Sequence, residues 1–161
     1  MTLQEVIRAI EGVAAQQPNV RTIVRQDVFR LNARPDVNYS AFAWLQRDHS
    51  GAVGDNLLRF GFTFFYVDRL AADKSNEVEV QSEAMSALMN VVVELAELGI
   101  MGDEWTARTF TQRFADLCAG AYINVTLEVP ADWTCPVDYD AETEVEVVNN
   151  ENLTNKTIWQ K

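Results

Sequence analysis

The side chain best suited to act as a general base in this sequence is His49, the only histidine among 161 residues. A Ser-His-Asp or Cys-His nucleophile needs such a base within hydrogen-bond reach. His49 stands next to Ser50 and Gly51, which favour a turn, so its expected setting is a solvent-exposed hairpin turn and not a catalytic dyad. The two cysteines, Cys118 and Cys135, have sixteen residues between them. Neither has His or Cys neighbours at metal-ligand spacing, which argues against a zinc site or a CxxC redox motif. Both read as free thiols.

Oxygen ligands are more plentiful. Asp138, Asp140, Glu142 and Glu144 alternate as hard-cation ligands can, but the sharp-turn glycine of a calcium loop is absent, and a solvated acidic face is the simpler reading. Gly51 and Gly54 do not belong to a phosphate loop, because neither GxxxxGK[ST] nor GxGxxG occurs. No constellation of nucleophile, base and orienting group is visible, so no catalytic, cofactor or metal residue is assigned. The expectation is a protein that is not an enzyme.

The elements follow from periodicity. Residues 2–16 predict a helix, with Thr2 and Glu5 spaced as a capping box and Leu3, Val6, Ile7, Ile10 and Val13 along one stripe. Residues 21–31 alternate weakly, as an edge strand does, and residues 39–48 and 57–68 predict a hairpin around the Gly51 to Asn56 turn residues. In the second of these, Leu58, Phe60, Phe62, Phe64 and Tyr66 share one face, and strict two-residue spacing makes that face core. Val80, Ala84, Leu88, Val91 and Leu95 recur at helical spacing from about Asp73 or Ser75 to Leu98, where Gly99 stops the helix. Residues 106–114 and 121–129 predict a second strand pair. The fold class is therefore α+β: a mainly antiparallel sheet with two helices packed on one face.

Residues 1–136 are expected to form this domain. Residues 137–161 read as an extended acidic C-terminal arm, whose apolar anchors are Val145, Val147, Ile158 and Trp159. Such a segment has too little apolar surface to fold alone and suits strand addition to a neighbour. Net charge is -11. Residues 114–155 hold nine acids and no Lys or Arg, the opposite of a phosphate-binding surface. No stretch approaches the ~20 apolar residues of a membrane span. The N-terminal segment reads as an amphipathic helix and not as a secretory leader, so synthesis in a reducing cytoplasm is expected.

Residues 31–44 (LNARPDVNYSAFAW), 57–69 (LLRFGFTFFYVDR) and the helix start at 76–82 (NEVEVQS) resemble small virion proteins of the crAss-like tailed phages over roughly residues 20–136. The element order is similar to that of tail-terminator and tail-completion proteins, which assemble as rings. This resemblance implies a structural virion protein of the head-tail connector or tail, made in the host cytoplasm. Its expected partners are further copies in a homo-oligomeric ring and neighbouring portal, connector or tail proteins, with genomic DNA only as passing cargo. It carries no catalytic residues and no cofactor. An acidic surplus would keep passing DNA from adhering to a channel wall.

Two other classes compete with this reading. One is a small α+β ligand-binding domain or enzyme using Phe60, Phe62, Phe64 and Tyr66 as an apolar pocket. The other, suggested by charge alone, is an acidic nucleic-acid mimic that blocks a DNA-binding partner.

Overall fold

Thr2 begins the first helix as the sequence spacing predicts. Its hydroxyl accepts the Glu5 backbone N–H at 3.3 Å, and the Glu5 carboxylate accepts the Thr2 backbone N–H at 2.7 Å, so two otherwise orphaned donors are satisfied reciprocally. Helix α1 spans Leu3–Gln16 and buries Val6, Ile10, Val13 and Ala14. The computed structural model describes residues 1–25, 38–52, 56–111 and 117–131. These form one compact unit, Met1–Ala131.

Five strands follow: β1 (Thr22–Arg25), β2 (Ala41–Ala52), β3 (Leu57–Arg69), β4 (Met101–Thr111) and β5 (Cys118–Pro130), with helix α2 (Glu77–Glu97) between β3 and β4. Their order across the sheet is β1-β2-β3-β5-β4. All neighbours are antiparallel except β1 and β2, which run parallel. The architecture is α+β, a five-stranded, mostly antiparallel sheet with both helices packed against it. The expected segment 21–31 is a strand over Thr22–Arg25; its residues 26–31 lie outside the described ones, as do residues 137–161 of the expected arm.

The helices share the face that strand alternation predicts. Phe42 and Trp44 of β2, Phe60, Phe62, Phe64 and Tyr66 of β3, and Ile123, Val125, Leu127 and Val129 of β5 pack with Val6, Ile10, Leu88, Val91 and Leu95 in one core. Trp44, Phe62, Phe64 and Tyr66 are almost fully buried there, and burying one such ring contributes about 1.5–3 kcal/mol. The aromatic row is thus the centre of the core.

Two local features differ from expectation. Helix α2 begins at Glu77 and not at Asp73 or Ser75, because Asp73 Oδ1 accepts the Ser75 backbone N–H at 3.1 Å and Asn76 Oδ1 accepts that of Ala71 at 2.8 Å. These side chains hold a turn, with Lys74 at φ 59°, in place of the first helical turn. Strand β4 starts at Met101, five residues before the expected 106. The helix stop is as predicted, with Gly99 at φ 70°, a conformation that glycine adopts without a Cβ clash.

Candidate assembly surfaces

Strand β4 is the long open edge of the sheet. It pairs with β5 on one side, and among the described residues no strand pairs with the other. Its pairing with β5 shifts register between Met101 and Trp105, and the intervening Asp103 and Glu104 are exposed. A bulge with charged side chains is a common way to blunt an edge against indiscriminate pairing. At the far end Gln81 of α2 reaches over, its Nε2 donating to Thr111 Oγ1 at 2.9 Å and lying 3.5 Å from the Phe110 carbonyl oxygen. The stretch from Trp105 to Thr109 lies between these two protections, and Trp105 leaves 46% of its surface in solvent.

Beside this edge, α2 presents a second stripe, in which Val78 is exposed and Met85 and Met89 are partly buried against the core. Val78, Ser82, Met85 and Met89 recur at helical spacing, and with Gln81, Ser86 and Thr109 of β4 they line an open groove of about 530 Å³. Val78 is 79% exposed. Val93 of the same helix is exposed too, while seven residues of α2 are buried.

The face of the sheet opposite the helices carries a graded pattern. At one end Val24, Ala41, Ala43, Val67, Phe110 and Cys118 are buried in a small cluster flanked by Tyr39, Phe65 and Tyr122, with the Phe65 and Tyr122 rings 5.8 Å apart. Toward the other end the cross-strand pairs turn polar. Thr63 Oγ1 donates to Asn124 Oδ1 at 2.7 Å, Asn124 Nδ2 donates to Thr106 Oγ1 at 3.2 Å, and Arg59 Nε meets Glu128 Oε1 at 2.6 Å. Apart from the buried Thr63, these side chains are partly or fully exposed, and each such pair is worth about 0.2–1 kcal/mol.

The densest group of titratable and hydroxyl side chains lies where β2 begins. Ser40 Oγ donates to Asp68 Oδ2 at 2.5 Å, Tyr66 OH donates to the Asn19 carbonyl at 3.4 Å, and the Arg69 guanidinium sits 5.0 Å from the centre of the Tyr39 ring. Burial pushes the Tyr66 phenol above its ordinary value, against a hydrogen bond with Ser40 that lowers it, and the Asp68 charge adds to the rise. A serine already donating to a carboxylate, beside a tyrosine held protonated, ties the entry of β2 to the end of β3.

His49 is exposed, as expected, but lies within β2 beside the irregularity at Gln46, and not in the hairpin turn. One extra residue of β2 is accommodated at that shift, and the pairing with β3 then continues through Ser50 and Gly51 to Ala52, past the first turn-forming residues. Its ring meets Phe60 edge-on at 5.2 Å and its Nε2 contacts the Gln46 side-chain amide. Cys118 is buried in β5. Among the described residues no three His, Cys, Asp or Glu side chains gather as a metal site would need. Cys135, the acids Asp138, Asp140, Glu142 and Glu144, and the arm anchors Val145, Val147, Ile158 and Trp159 lie outside the described residues.

The β4 edge and its groove carry no signal in strand alternation, but one clue is legible. Asp103-Glu104-Trp105, two acids followed by a large aromatic just after a helix stop, is edge chemistry. No model of a known protein family matches the chain, and no curated protein matches it in sequence.

Proposed function

We propose that the chain is a structural virion protein, one subunit of a ring in the head-tail connector or tail of a tailed bacteriophage. The observation that carries this reading is a sheet with two unlike edges, the four-residue β1 and the eleven-residue β4, with an unburied apolar groove beside the longer one. A patch on one side of a subunit that fits a different patch on the other side generates rings when the rotation closes. The acidic surplus of the chain suits the wall of a DNA conduit, since it avoids the backbone attraction that basic channels exploit.

Native mass measurement and imaging of assembled particles test it. The expected result is a symmetric ring whose mass is a multiple of 18.2 kDa, present in the particle at the neck or tail. A chain that stays monomeric, is missing from particles and binds a hydrophobic ligand refutes the reading.

A further inference from the structure

We infer that the contact between ring subunits is an edge-to-edge strand pairing, in which β4 and the α2 groove of one copy receive β1 and α1 of the next. This rests on the ring reading, and three features of the fold point to it.

The first is strand direction. Strands β2 and β5 run against β3, β1 runs with β2, and β4 runs with β3. The two edges of the sheet therefore point in opposite directions. A ring axis roughly along the strands preserves direction from copy to copy, so β4 of one copy meets β1 of the next antiparallel, the more favourable way for an added strand to pair.

The second is the layer. Helix α1 and its partner α2 cover the same face of the sheet. Continuing the sheet into a second copy keeps its helices on that face, which brings α1 of the second copy alongside the Val78, Met85 and Met89 stripe. The groove is then an inter-helix seam, which covers Val78 and the parts of Met85 and Met89 that the core leaves open.

The third is charge. Residues 77–111, which supply α2 and β4, hold seven acids and one arginine. Residues 1–25, which supply α1 and β1, hold three arginines and two acids, with Arg8, Arg21 and Arg25 exposed. One end of the subunit is strongly acidic and the other slightly basic. A two-fold pairing of β4 with β4 is also antiparallel, but it sets the acidic end against itself; the head-to-tail contact opposes unlike charges.

Disulfide trapping in the full chain tests the contact, with Cys135→Ser removing one native thiol and Cys118 left buried. Along the sheet's own rows, Ile23 is level with Thr109 and Arg25 with Ala107. The double variants Ile23→Cys/Thr109→Cys and Arg25→Cys/Ala107→Cys, oxidised in assembled particles, are expected to give a ladder of covalent multimers up to the ring. The single variants stay monomeric on the same gel, and higher salt during assembly thins the ladder. Covalent dimers from Thr109→Cys or Ala107→Cys alone show β4 on β4 and overturn the inference. So does a ring present in particles with neither double variant trapped, a result that leaves the ring reading standing. Absence of the chain from particles removes both.

Discussion

Ile23 and Thr109 stand at the two ends of one row that crosses all five strands through Phe42, Tyr66 and Ala121. The middle of that row is buried, while both ends lie at sheet edges. The same pairing that builds the core thus fixes which positions the edges present: Phe42, Tyr66 and Ala121 are buried in the core, Ile23 packs partly against it, and Thr109 is exposed.

Gly120 gives the sharpest stability prediction. A Cβ built there lies 1.9 Å from the Tyr66 carbonyl oxygen and 3.1 Å from the Val67 Cα, so β3 and β5 approach too closely for any side chain. Gly120→Ala forces the two central strands apart and is expected to cost at least ~1–3 kcal/mol, as overpacking does. Urea unfolding reads this directly; an unchanged midpoint rejects the close approach.

Phe62 and Trp105 separate core from surface. Phe62 is fully buried, with its ring edge-on to Trp44 at 6.0 Å and stacked on Phe64 at 6.1 Å. Phe62→Ala is expected to lose about 3–5 kcal/mol. Trp105→Ala, at the open edge, is expected to leave the unfolding midpoint within error and weaken self-association measured by sedimentation. Equal losses of stability in the two variants contradict the placement of Trp105 at an edge.

Most of the layer architecture is legible in the sequence because it rests on local periodicity. The Thr2 and Glu5 box, the Phe60 to Tyr66 alternation, the Val80 to Leu95 spacing and the Gly99 stop all appear in the fold as read. Strand order is a different matter. That β5 occupies an interior position while β4 hangs at the edge, and that β1 runs parallel to β2, depends on pairings between distant segments that no window of residues contains. Residues 106–114 read as a strand, but the start of β4 is hidden for the same reason: with one flank open and a register shift between Met101 and Trp105, it lacks the alternation by which interior strands announce themselves. The acidic arm anchors Val145, Val147, Ile158 and Trp159 were read from composition, and they fall outside the described residues.

Tyr66 predicts an alkaline limb. Burial raises its folded pKa above the unfolded value, which lies near 10. Its contribution is therefore complete below that unfolded value and is lost as pH rises through the folded one, because the unfolded phenol ionises first. Denaturant midpoints measured from neutral pH upward should fall more steeply above about pH 10 for the native chain than for Tyr66→Phe. Parallel curves mean that the phenol is more solvated than its position beneath the helices implies.

The last prediction concerns the C-terminal 142–161 segment. The compact unit Met1–Ala131 holds the described core, from Val6 to Val129, and deletion of residues 142–161 leaves every one of those residues in place. The truncated chain is expected to fold with an unchanged unfolding midpoint. Its alternating Glu142 to Val148 sequence, however, matches an added strand, and Trp159 is the large aromatic type that anchors interfaces. Truncation is therefore expected to abolish incorporation into particles while the edge contacts of β1 and β4 remain chemically intact. Particle counts of truncated against full-length chain, made in the same cells, decide it: normal incorporation assigns assembly to the sheet edges alone, and a lowered midpoint makes the segment part of the folded domain.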